Sequence, residues 1–166
     1  MKKIVLIFFL AVAIAVMAAI FWHTRAIAPV DEIKTRNIEL YYYASEIDKD
    51  STGNVMCSRR GLVSVSRQIP VTSTPVQDAV NLLIKGQLTE NEKKTGLAAE
   101  FPLSGLALRG ANLEDGILTL EFDDPQNKTG GGSCRSATLW FQIEATAKQF
   151  AGISEVRFIP ETLFQP

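Results

Sequence analysis

From Ile4 to Trp22 the chain carries no charged residue, nineteen positions drawn mainly from Ile, Val, Leu, Phe, Ala and Met behind Met1-Lys2-Lys3. At ~1.5 Å per residue, a helix of that length covers about the ~30 Å of a bilayer's hydrocarbon core. It shows no polar face, so it does not read as a core helix of a globular domain. A cleaved signal peptide has a shorter apolar stretch, about 7 to 15 residues, ending at a small-residue site. Ala26-Ile27-Ala28 offers such a site, but Pro29 follows directly and makes a poor cleavage junction. The expectation is an uncleaved signal-anchor over residues 1–28, with a cleaved and secreted form as the alternative. Lys2 and Lys3 hold the N-terminus in the cytoplasm, so the chain is single-pass in the cytoplasmic membrane and its remainder lies outside. His23 and Arg25 weaken this bias without reversing it. No cysteine stands near the end of the apolar run, which excludes a lipoprotein anchor.

From Ile27 onward there are 140 residues, with 14 Lys and Arg against 18 Asp and Glu. That length is one domain's worth and enough to bury a core. A balance near −4 gives no electrostatic reason to bind nucleic acid or anionic lipid.

Cys57 and Cys134 are the only cysteines, and both fall in the exported part. An oxidising compartment favours a disulfide between them. The competing reading makes Cys134 a nucleophile at a helix N-terminus beside Arg135. Thiolate catalysis usually needs a base, most often histidine, and the single histidine, His23, precedes the domain.

Residues 29–37 read as a linker. Ile38 to Tyr43 is a first strand and Gly61 to Ile69 a second, with the polar loop Glu46 to Asn54 between them. Thr74-Pro75-Val76-Gln77 predicts a helix start, with Thr74 as cap, Pro75 at the first helical position and Gln77 completing a capping box. Val76, Ala79, Val80 and Leu83 share one face of that helix, and Gly86 closes it. Thr89 and Glu92 form a second box over one short helical turn. Asp115-Gly116 between two apolar runs predicts a hairpin. Ser133 to Phe150 is an amphipathic helix with a stripe of Leu139, Trp140, Ile143, Ala147 and Phe150. Glu155 to Ile159 is a last strand. The order describes an α+β domain over residues 38–160, a mixed sheet with two main helices on one face, followed by a tail at 161–166.

The unit TPVQDAVNLLIKG followed by LTENEKKTGL, the hairpin around EDGILTLEFD, the GGGSC helix entry and the closing ISEVRFIP together resemble the GerMN, or germane, domain family. The resemblance runs from about Ile38 to Pro160. It implies a fold similar to the ring-building modules of secretion machinery, in an extracytoplasmic module of bacterial envelopes. It further implies no established catalytic residues, no cofactor, a binding role and room for self-association. The chain departs from the family's namesake by its single copy and missing lipobox, so the resemblance carries a general envelope role here and leaves a part in sporulation open.

Gly130-Gly131-Gly132-Ser133 is either an anion-binding loop or a flexible turn with Ser133 as helix cap, and it lacks the Gly-Lys-Ser/Thr ending of a nucleotide loop. Tyr41, Tyr42 and Tyr43 alternate along a strand, so they divide between core and a surface that can stack on sugar or peptide. Glu121, Asp123 and Asp124 lack the ligand spacing of a calcium loop, and no metal site is expected. Asn127-Lys128-Thr129 is a formal glycosylation sequon, read as coincidence. Two functions remain: a non-catalytic binding or assembly module with an envelope protein or wall ligand as partner, and a carboxylate-dependent wall hydrolase drawing on Glu114, Glu121, Asp123 and Asp124.

Overall fold

The computed structural model describes residues 12–22 and 33–165. The chain divides into two units, Met1–Ile33 and Lys34–Pro166. In the first, residues 12–22 are helical and exposed. The rest of the apolar run, residues 4–11, and the segment 23–32 with its candidate cleavage site lie outside the described residues. Among the described residues no helix is long and apolar enough to cross a membrane.

The second unit is an α+β domain. Strand β1 (Thr35–Tyr43) pairs antiparallel with β2 (Leu62–Pro70), in register from Thr35 opposite Pro70 to Tyr43 opposite Leu62. Helices α1 (Pro75–Ile84) and α2 (Glu90–Lys94) follow. Strands β3 (Ala107–Glu114) and β4 (Ile117–Asp123) form the expected hairpin. Its two-residue turn has φ of 49° at Asp115 and 82° at Gly116. Such a turn needs positive φ at both central positions, which is why Asp-Gly forms it. Helix α3 (Ser133–Lys148) then crosses over to β5 (Glu155–Ile159), which lies parallel to β4.

The mixed sheet is therefore β3-β4-β5, and β1-β2 is a separate antiparallel pair. What separates them is α3, whose side chains occupy the free edge of β1. Gln149 brackets Glu39, its Oε1 accepting the Glu39 N–H at 2.8 Å and its Nε2 donating to the Glu39 carbonyl at 2.7 Å. Thr146 Oγ1 accepts the Tyr41 N–H at 3.1 Å. Backbone groups already bonded to side chains are not available to recruit another strand.

One core joins the layers. Ile38, Leu40 and Tyr42 of β1, Leu118, Leu120 and Phe122 of β4, and Val156 and Phe158 of β5 all belong to it. Ala79, Val80 and Leu83 of α1 and Leu139, Ile143 and Ala147 of α3 close it from the helical side. The tail does not hang free, because Leu163 and Phe164 are both buried and Phe164 stacks near Phe122 and Phe158.

Two helix starts differ from expectation. Thr74 occupies the cap position of α1 but its side chain caps nothing. Thr72 Oγ1 instead accepts the Thr74 N–H and bonds to Asp78, so the nearby threonine has taken over the start of the helix. At α3 the cap is Gly132, with no side chain to give, and Ser133 is the first helical residue. The box at Thr89 and Glu92 forms as expected. Glu92 also takes a two-pronged bond from Arg67 of β2, both contacts 2.8 Å, which clamps α2 onto the strand.

Hydrogen bonding to Arg67, with lesser help from Thr89 and against the opposing effect of burial, holds the Glu92 carboxyl at about 2. Its folded value lies below its ordinary one, so the clamp contributes fully above about pH 4.5 and is lost as pH falls toward 2. Glu92→Gln is expected to cost about 1–2 kcal/mol at pH 7, since charge-assisted bonds of this exposure sit at the lower end of their range. Urea titrations at pH 7 and pH 3 check this: the variant's deficit shrinks at the acid end.

Candidate functional site

The loop between β1 and β2, read from sequence as a polar connection, contains a buried charge. Asp48, at the end of a short 3-10 turn (Ser45–Asp48), is fully buried. Its Oδ2 accepts the Tyr43 hydroxyl and the Ser58 N–H, each at 2.6 Å, and its Oδ1 accepts the Ser58 hydroxyl at 2.5 Å. Arg60 stands 3.6 Å from the same oxygen. Burial acts to raise the Asp48 pKa, but the bonds from Ser58 and Tyr43 and the charge of Arg60 outweigh it, and the carboxyl titrates below its ordinary value. Tyr43 shows the complement: burial first, then the bond to Asp48 and its charge, push the phenol up to about 12.

This network fixes the Tyr43 ring. The ring lies so close to Gly61 that a Cβ there would sit 2.3 Å from it. Only a residue without a side chain lets the strand and ring approach this far.

The expected bond between Cys57 and Cys134 is present, with Cα atoms 5.2 Å apart. It staples the loop to the first turn of α3. Arg59 adds a second fastening two turns along, its guanidinium 4.1 Å from the centre of the Phe141 ring and bonded to Glu144 at 2.5 Å.

In front of the disulfide lies a cavity of about 600 Å³, bounded by Tyr43, Val55, Gly131, Gly132, Ser133 and Cys134. Of the three tyrosines, Tyr43 faces this space. Tyr42 is wholly within the core, and Tyr41 is half-buried on β1 with its N–H held by Thr146. Gly131 turns from this cavity into a neighbouring one of about 640 Å³ that also contains Gly130. Arg135 folds back over the glycine turn, donating to the carbonyls of Lys128, at 2.8 Å, and Gly130, and pairing with Glu100. The glycine segment is thus a turn held by an arginine, leading into the helix.

The carboxylates considered for catalysis are otherwise engaged or apart. Asp124 accepts the N–H groups of Lys128 and Thr129, each at 2.8 Å, and these bonds hold it below its ordinary pKa against the effect of burial. Asp123 pairs with Arg109, and Glu121 is exposed on β4. Among the described residues no group of three or more His, Cys, Asp or Glu side chains is placed to hold a metal.

Asp48 escaped the sequence reading because a polar residue in a polar loop carries no periodic sign of burial. Trp140 was assigned to the core stripe, and it does touch Phe158, with ring centres 4.8 Å apart, yet it also lines a cavity.

The fold and cavity define a small disulfide-stapled α+β domain. The chain belongs to the Germane family, described as "Sporulation and spore germination", whose model matches residues 39–161. Among solved structures it is similar to the tandem GerMN domains of the sporulation protein GerM from Bacillus subtilis, at 17% identity and a TM-score of 0.52 over 79% of this chain. It spans 40% of that tandem chain. The first GerMN domain of the same protein matches at 15% identity and a TM-score of 0.48, over 73% of this chain and 80% of that one. A putative lipoprotein from Clostridium perfringens matches at 16% identity and 0.39, over 79% and 78%. No curated protein matches the chain.

Proposed function

We propose that this protein is a non-catalytic binding or assembly module of the bacterial envelope. Residues 1–28 tether it to the cytoplasmic membrane, a linker runs from residue 29 only as far as the start of β1 at Thr35 rather than to residue 37, and the Germane domain lies on the outer side. The observation that carries the reading is the Cys57–Cys134 bond beside an open cavity. A disulfide belongs to an oxidising compartment, and the cavity has Tyr43, Gly131, Gly132 and Ser133 as its ligand contacts. Family membership supports the same reading, and so does the engagement of Asp123 and Asp124 in structural bonds, which leaves the hydrolase alternative without an assembled acid/base pair.

Two measurements on intact cells test it. A reporter fused after Pro166 is expected to be active only outside the cytoplasm, with the mature protein still beginning near Met1. Crosslinking at native expression is expected to recover an envelope protein or wall fragment. Recovery of monomer alone, or turnover of muropeptides that disappears in Glu121→Gln, would sink the proposal.

A further inference from the structure

Three depressions meet end to end around the first turn of α3. The first, about 440 Å³, lies beside Trp140 and the Arg157–Ile159 stretch of β5 and reaches Glu161 and Gln165. The second begins at those same two residues and passes Asn127 to Gly130 and Gly131. The third begins at Gly131 and ends at Tyr43 and the disulfide. Neighbours share lining residues, so the three form one groove with an aromatic side chain toward each end.

The lining is chemically specific. Among the described residues, Glu161, Thr162, Gln165 and Asn127 make no side-chain hydrogen bond to another residue, and neither does the indole N–H of Trp140. These groups are unspent donors and acceptors facing a common space. The charges along the groove largely cancel: Arg157 is bonded to Glu155 at 2.6 Å and also feels the charge of Glu161, and Arg135 is paired with Glu100. Neither a polyanion nor a polycation finds a strong charge to meet on such a surface.

An extended peptide would need main-chain partners along its length. The groove runs along strand only at Arg157–Ile159 of β5, meeting β4 and β1 at the single residues Thr119 and Tyr43, and in its middle the carbonyls of Lys128 and Gly130 are already taken by Arg135. A pyranose chain needs something else: flat faces for its C–H surfaces and amide, hydroxyl or carboxylate groups for its ring-edge hydroxyls. We infer that this groove binds an uncharged glycan chain, with sugar rings stacked on Trp140 and Tyr43 and their polar substituents held by Glu161, Gln165 and Asn127. The inference rests on the binding-module reading and gives that module its ligand class.

The test uses the full chain in phospholipid nanodiscs, avoiding sugar-headed detergents, with Trp22→Phe so that Trp140 alone reports fluorescence. The probes are a hexamer of β-1,4-linked N-acetylglucosamine, cellohexaose, an oligogalacturonate and an uncharged ten-residue Ser/Thr/Ala peptide. A saturable change in Trp140 emission with either neutral hexamer, and none with the oligogalacturonate, is expected. Glu161→Gln and Gln165→Ala are each expected to weaken binding by about 2- to 10-fold, the range of single hydrogen bonds. Trp140→Phe should retain binding by calorimetry. Trp140→Ala should abolish it, with the melting curve confirming that the domain is folded. Three results would overturn the inference: no saturation with either hexamer, affinity unmoved by both Gln165→Ala and Glu161→Gln, or response to the peptide alone. If the hexamers fail while crosslinking in cells still recovers an envelope protein, the glycan is wrong and the binding module stands; if both fail, both readings fall.

Discussion

Reducing the Cys57–Cys134 bond is expected to lower the melting temperature of the domain by about 10 °C or more. The bridge joins residues 77 apart in sequence. Opening a loop of that size returns about 4–5 kcal/mol of chain entropy to the unfolded state. Cys57→Ser and Cys134→Ser should each match the effect of reduction, and the double variant should add little, because either change already breaks the bond. Cys57→Gly should recover part of the loss relative to Cys57→Ser, since Cys57 sits at φ 51° and serine keeps that conformational cost while glycine removes it. The loop should nevertheless hold its place in the reduced protein, through Asp48 below and through Arg59 on Phe141 and Glu144. Differential scanning calorimetry with and without a dithiol, and thiol labelling of the denatured, unreduced protein, check both statements; free labelling of two thiols in envelope-derived protein would refute the first.

Phe164→Ala is expected to cost about 3–5 kcal/mol, as a buried aromatic does when its cavity cannot collapse. Its ring is 2% exposed and lies 5.9 Å from Phe122 and 4.8 Å from Phe158 by centroid. The neighbouring exposed side chain serves as control: Gln165→Ala should stay within about 0.5 kcal/mol of the parent. Denaturant midpoints separate the two outcomes. Equal stability of Phe164→Ala and the parent would mean that the tail is not part of the core.

Where a pattern repeats, sequence and structure agree. β1, β4 and β5 alternate apolar and polar residues, and their buried positions, Ile38, Leu40 and Tyr42 or Leu118, Leu120 and Phe122, follow that alternation. The Asp115-Gly116 turn and the Thr89–Glu92 box are local chemistry, complete within four residues, and both form. Where several groups can do one job, the sequence does not choose among them. Thr72 and Thr74 both stand ahead of α1, and the bond of Thr72 to Asp78 decides between them. The division into two sheets was not legible because it depends on Gln149 and Thr146 reaching β1 over more than a hundred residues of sequence. The groove was half legible: Tyr43 and the glycine turn stand out as residues, but Glu161 and Gln165 lie in what reads as a tail. They come to face Asn127 and Trp140 only because Leu163 and Phe164 are drawn into the core between them.

The position of the disulfide in the chain also bears on survival under proteolysis. Lys85, Lys94 and Lys128 are exposed and all fall between Cys57 and Cys134. A cut after Lys94 separates the piece carrying β1, β2 and α1 from the piece carrying β3, β4, α3 and β5. Each piece keeps one half of the bridge, so a single nick anywhere across this stretch leaves one covalent molecule. The β1 edge then remains against Thr146 and Gln149, and the two fragments cannot diffuse apart while the bond is oxidised. In effect the domain tolerates backbone scission over more than half its length, a property that belongs to where the cysteines stand rather than to how strongly the core packs.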